Sequence, residues 1–209
     1  MKAIPNILTL GRLALTLLVL VFLVAASGAW PFGGLDDAGK SALRAWAFIL
    51  FVIAAVTDFF DGYLARKLNA VSLLGAILDP IADKVLIAAA IVGLLADGVT
   101  AVALPGGLIL FREFSISALR ETLAPKGLRL PVTMLAKWKT TIQLIALAAL
   151  LYIRGAGGLA LILPAGVTSG LSCYFAPPAW AVGLLWLAAL ITVWTGIEYA
   201  LAARKALKV

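Results

Sequence analysis

The chain alternates between six long apolar runs and short clusters of glycine, proline and charge. The runs cover residues 6–27, 43–65, 72–96, 102–123, 133–153 and 179–203. A hydrocarbon core of about 30 Å takes about 20 helical residues to cross, and each run is long enough. A soluble domain of this length shows amphipathic helices with polar faces instead. The pattern therefore predicts an all-α integral membrane protein with six transmembrane helices. Breakers mark the loops at 28–34, 66–70, 96–100, 125–131 and 154–178. The last of these is apolar from Leu159 to Pro164 and reads as a re-entrant or interfacial stretch. Pro177 and Pro178 suit the entry to the last helix. No repeat, low-complexity tract or linker divides the chain, so residues 1–209 are expected to form one six-helix domain.

Composition agrees with the pattern: 64% of residues are hydrophobic and 13% charged. Charge adds an orientation. With six spans, both termini share a side, and that side carries Lys2, Arg12, Arg66, Lys67, Lys126, Arg129, Lys137, Lys139, Arg204, Lys205 and Lys208. The other side carries Lys40, Arg44 and Arg154 with Asp36, Asp37 and Asp97. The positive-inside rule puts the first side in the cytoplasm and the protein in the inner (cytoplasmic) membrane. The net charge of +7 flanks spans and forms no soluble basic face, which argues against nucleic acid as a partner and for anionic headgroups or a phosphorylated substrate. Ala25-Ala26-Ser27 superficially resembles a signal cleavage site, but the apolar run before it is long, and Pro5, Asn6, Thr9 and Arg12 make a poor basic n-region. One cysteine, Cys173, excludes an internal disulfide, and the absence of histidine argues against a zinc cage.

Four aspartates break the apolar pattern between residues 58 and 83. One carboxylate at a helix centre costs about 2.5–3.5 kcal/mol to insert. Capping, or pairing with Arg66, Lys67 and Lys84, would explain one such acid more easily than four. Asp58 and Asp61 are three apart and Asp79 and Asp83 four apart, so each pair shares a helix face. Two such faces turned together make a cage of hard oxygens that suits Mg²⁺ or Mn²⁺. Gly75 lies one turn before Asp79, where a missing side chain admits a ligand or a neighbouring helix, and Gly62 and Ala65 are small residues beside the first pair. Pro80 removes a backbone hydrogen bond inside the third helix beside the site.

The full run, Asp58-x2-Asp61-Gly62-x2-Ala65-Arg66-x8-Gly75-x3-Asp79-x3-Asp83, resembles the motif of the CDP-alcohol phosphotransferases at every fixed position. The resemblance implies a six-helix membrane enzyme, usually a homodimer, that transfers a phosphatidyl group from CDP-diacylglycerol to an alcohol with release of CMP. It implies two metal ions per site held by Asp58, Asp61 and Asp79, with Asp83 as general base and further metal contact. Gly62, Ala65, Arg66 and Gly75 would lie on the CDP-diacylglycerol side, Arg66 as a fork for phosphate oxygens.

The acceptor is read from helices four and five. Arg112 and Arg120 are eight apart, hence near one face, whereas Lys137 and Lys139 are not. Glu113 adjoins Arg112 off its face, so an external anion or one of the aspartates is the expected partner of Arg112. These cations suit an acceptor with its own phosphate. Together with the segment from Ile4 to Arg12, the two helices resemble the phosphatidylglycerophosphate synthase branch of the family, which implies sn-glycerol 3-phosphate as acceptor. The candidate phosphate ligands are Arg112, Lys137 and Lys139, followed by Arg120, Arg12 and Thr9. For Arg12 and Arg120, snorkelling to the interface is the competing reading. The segment after Arg12 lacks the proline expected in that branch, and 154–178 match nothing in it. Inositol phosphate, serine or a phosphatidyl lipid remain alternative acceptors. A cation transporter is the alternative outside this chemistry, though no internal repeat supports it. A membrane scaffold leaves the four carboxylates unexplained.

Overall fold

The computed structural model describes residues 3–29, 33–68, 73–123, 134–162 and 177–207. Within its helices, the side chains of 3–8, 59–68, 73–77, 79–80, 134–137, 157–158, 160–162 and 205–207 lie outside that description. Among the described residues, six long helices follow one another: α1 (Ala3–Ala26), α2 (Asp37–Leu68), α3 (Leu73–Ala96), α4 (Ala103–Leu123), α5 (Met134–Ile162) and α6 (Ala179–Leu207), with one 3₁₀ turn at Thr100–Val102. No strand occurs among the described residues. Each predicted run overlaps one of these helices. At 1.5 Å per residue the shorter ones already reach about 32–36 Å. Among the described residues, Thr9–Ala26, Asp37–Asp58, Thr100–Leu123 and Ala179–Arg204 are long and apolar enough to cross a bilayer.

The helix ends follow local chemistry. Asp36 caps α2, its Oδ1 accepting from the Gly39 amide at 3.0 Å. Helix α3 closes in a Schellman turn: Gly98, at φ +86°, donates to Leu95 O, and Val99 donates to Leu94 O. Buried Val99 then packs near buried Leu94, the apolar contact that accompanies this turn.

Packing joins α1 to α2 and α3, α5 to α2 and α6, and α4 to α6. One apolar cluster runs through all six helices, including Leu23, Phe51, Ile91, Ile109, Leu147 and Leu185. The remaining pattern is that of a membrane protein. Leu10, Leu17, Ile53, Val92, Leu190 and Trp194 face outward, while Thr9, Arg12, Thr16, Gln143, Thr192 and Thr195 are buried. Lipid accepts the apolar exterior, and the interior must satisfy the polar groups.

The fifth helix corrects one expectation. Residues 154–162 continue α5, so the break expected at Arg154 does not occur there. The glycine that reads as a breaker is a contact point. A side chain on Gly155 would stand 3.0 Å from Arg44 O and 3.1 Å from Ala45 Cα, so its absence lets α2 and α5 touch backbone to backbone. The expected loops at 125–131 and from 163 to 176 lie outside the described residues.

Candidate active site

Three helices meet at the first cluster. On α1 the buried positions Thr9, Arg12, Thr16, Val19 and Leu23 recur at three and four residues, so the stripe that packs against α2 and α3 carries Arg12 inward. Arg12 is 1% exposed. It does not snorkel to an interface. Its Nη1 pairs with Asp58 Oδ1 of α2 and donates to Asp83 Oδ1 of α3 at 2.7 Å. The two carboxylates retain 34% and 40% side-chain exposure, so they are open on the side away from Arg12. Carboxylates from two helices thus converge on one cationic nitrogen, an arrangement whose hard oxygens also suit a divalent cation. Helix α2 continues through Asp61, and α3 is helical from Leu73 past Asp79, so the backbone keeps each acidic pair on one face. The side chains of Asp61 and Asp79 lie outside the described residues. Among the described residues, no three His, Cys, Asp or Glu side chains gather as a metal cage.

Beside this cluster opens a cavity of about 260 Å³. Asp83 and Lys84 reach it from α3, Arg112, Glu113 and Arg120 from α4, Lys139 from α5 and Tyr199 from α6. Arg112 is held on several sides. Its Nη2 donates to Thr195 Oγ1 at 3.1 Å, its Nη1 pairs with Glu113 Oε1 at 3.3 Å, and its Cζ lies 5.9 Å from the Tyr199 ring centre. Gly196 admits the aliphatic arm, since a Cβ there would fall 2.8 Å from Arg112 Cγ. Lys139 donates to Glu113 Oε1 at 2.6 Å. Glu113 is therefore the partner of Arg112 after all. Its side chain is long enough to reach sideways between α4 and α5, which the angular argument from a helical wheel did not allow for. One turn beyond Lys139, Gln143 Nε2 donates to Thr192 Oγ1 at 2.6 Å and ties α5 to α6 below the cavity.

The structure places Arg112, Arg120, Lys139 and Asp83 on the lining of one cavity, and helical spacing had set only Arg112 and Arg120 on a common face. Arg120 is exposed yet lines the cavity, with its Cζ 5.8 Å from the Tyr199 ring centre. Arg12 is with the carboxylates instead, and Thr9 is buried one turn from it; neither lines the cavity. Gly62, Ala65, Arg66, Gly75 and Lys137 have side chains outside the described residues. Sequence reasoning passed over Lys84, Glu113 and Tyr199. Adjacency to Asp83 and Arg112 was the available signal for the first two. Tyr199 had none, because α6 carries no motif and only tertiary packing brings it to α4.

The model of the CDP-alcohol phosphatidyltransferase family matches residues 2–194. Among curated proteins, the chain is 38% identical over 207 residues to the CDP-diacylglycerol–glycerol-3-phosphate 3-phosphatidyltransferase of Rickettsia felis, covering 98% of this chain and 97% of the relative. The protein of the same name in Cereibacter sphaeroides is 39% identical over 220 residues, covering 94% and 93%. That of Escherichia coli K12 is 37% identical over 210 residues, covering 96% and 94%.

Proposed function

The chain belongs to the CDP-alcohol phosphatidyltransferase family, and on that premise we propose that it transfers the phosphatidyl group of CDP-diacylglycerol to sn-glycerol 3-phosphate, giving phosphatidylglycerol phosphate and CMP. The observation that carries the acceptor is the cavity in which Lys84, Arg112, Arg120 and Lys139 surround one wall formed by Asp83. A cationic pocket fits an acceptor that brings its own phosphate, and Asp83 stands where that acceptor's hydroxyl would be deprotonated.

In this reading Asp83 accepts the hydroxyl proton as the acceptor oxygen bonds to the phosphorus that bears diacylglycerol. The bond from that phosphorus to the bridging pyrophosphate oxygen breaks, and CMP leaves. Arg112 and Lys139 orient the acceptor by its phosphate, with Lys137 and Arg120 beside them. Arg12, buried against Asp58 and Asp83, holds these carboxylates side by side. Gly62, Ala65, Arg66 and Gly75 receive the nucleotide by their match to the family motif. Asp58, Asp61, Asp79 and Asp83 would hold two divalent cations, Mg²⁺ or Mn²⁺, whose chemistry is to neutralise pyrophosphate charge and favour in-line attack. The pair of hard-oxygen carboxylates converging from α2 and α3 supports that assignment.

We further propose one domain of six spans over residues 1–209, with the termini and the site at the cytoplasmic face of the inner membrane and two copies forming a homodimer. The lysines and arginines at that end support the orientation. The family resemblance supports the dimer.

The test is CMP release by purified protein in detergent, with CDP-diacylglycerol and glycerol 3-phosphate, inositol phosphate or serine in turn. Release is expected only with glycerol 3-phosphate, abolished by chelation and restored by Mg²⁺ or Mn²⁺. Turnover with a different acceptor would overturn the reading of α4 and α5.

A further inference from the structure

Tyr199 of α6 combines three features that packing alone does not require. It is 5% exposed and lines the charged cavity. Its ring lies against two cations at once, with Arg112 Cζ at 5.9 Å and Arg120 Cζ at 5.8 Å from its centre. Its hydroxyl oxygen is buried and has no hydrogen-bond partner among the described residues. A buried hydroxyl without a partner is unfavourable, and tyrosine hydroxyls are usually paired when buried. Phenylalanine would supply the same ring to both guanidiniums without that penalty.

Resting on the acceptor reading above, we infer that Tyr199 is a further substrate-binding residue: its hydroxyl donates to the acceptor's phosphate, and its ring sets the two arginines around that phosphate. The ligand class is a small phosphate monoester. Such a group carries enough acceptor oxygens to take Arg112, Lys139 and a hydroxyl donor together. The ring acts on the same ligand at one remove. It restricts Arg112 and Arg120 to one side of the cavity, so less freedom is lost when the phosphate arrives. The neighbouring α6 residues serve the same geometry, since Thr195 accepts from Arg112 and Gly196 makes room for its arm.

The test compares Tyr199→Phe, Tyr199→Leu and Arg112→Ala in the full chain in detergent, measuring KM for each substrate and the melting temperature with and without glycerol 3-phosphate. Tyr199→Phe is expected to raise KM for glycerol 3-phosphate roughly tenfold, the effect of one hydrogen bond to a charged group. KM for CDP-diacylglycerol should not change. The melting temperature without substrate should hold or rise, and the stabilisation by glycerol 3-phosphate should shrink. Tyr199→Leu should weaken glycerol 3-phosphate a further few-fold as the guanidiniums lose the ring. A Tyr199→Phe enzyme with unchanged KM for glycerol 3-phosphate, or with both KM values raised alike, would overturn the inference. If Arg112→Ala still weakens glycerol 3-phosphate in that case, the acceptor pocket stands and only Tyr199 is wrong. If neither variant affects it, the pocket reading falls as well.

Discussion

The bundle carries an ionic cluster near each end, and the two are built differently. In one, Asp97 ends α3 with a carboxylate that is 0% exposed. Arg44 of α2 grips it through Nε and Nη2 at 2.7–3.0 Å, and Arg154 of α5 binds its Oδ2 and backbone carbonyl at 2.7 and 2.8 Å. Arg44 also donates to Ala26 O at the end of α1. Both carboxylate oxygens are used, and four helices are joined. In the other cluster, about 21 Å further along α2 and α3, Asp58 and Asp83 share one guanidinium nitrogen and keep a third or more of their surface open. Beside them, Lys84, Arg112, Arg120 and Lys139 line a cavity whose carboxylates, among the described residues, are Asp83 and Glu113. The same residue types therefore serve opposite ends. A closed, saturated cluster holds helices together, whereas the open cluster leaves a charged cavity for the substrate proposed above.

Variants in each cluster should separate these roles. The largest effect is expected from Asp83→Asn, with turnover falling about 10²–10⁴-fold as the general base is lost. An asparagine oxygen can still accept from Arg12, so the melting temperature should hardly move. Near-normal turnover would remove Asp83 from the base role. Next comes Asp97→Ala, which strands Arg44 and Arg154 and should destabilise the fold by about 3–5 kcal/mol. Thermal unfolding in detergent measures that loss, and turnover per folded molecule at low temperature should survive. Loss of turnover at unchanged stability would erase the contrast between the two clusters. The smallest expected effect is that of Gly196→Ala, whose new methyl must displace the arm of Arg112 at a cost of about 1–3 kcal/mol. The strain should appear as a higher KM for glycerol 3-phosphate, with KM for CDP-diacylglycerol unchanged.

Much of this was legible in the chain because membrane physics writes itself in one dimension. Apolar runs of spanning length mark the helices, and aspartates at three- and four-residue spacing single out the two helix segments on which Asp58 and Asp83 meet. Arg112 and Arg120 were likewise readable as a pair on one face. Glu113 was misjudged because a helical wheel describes where a side chain starts and not where its far end reaches. Gly155 was misread because a glycine that breaks a helix and one that lets two helices touch look alike in sequence.

The sequence by itself determined the class of the protein, the order of its described helices and the acidic motif, because all of these depend on contacts within about one or two turns. Only the tertiary structure decided that Arg12 lies on the carboxylates, that Asp97 is shared by two arginines and that Tyr199 faces Arg112 and Arg120. Those pairings join residues up to 87 positions apart, as Arg112 and Tyr199 are. They depend on which helix faces pack together, and the exteriors of these helices are too uniformly apolar for local sequence to specify that choice.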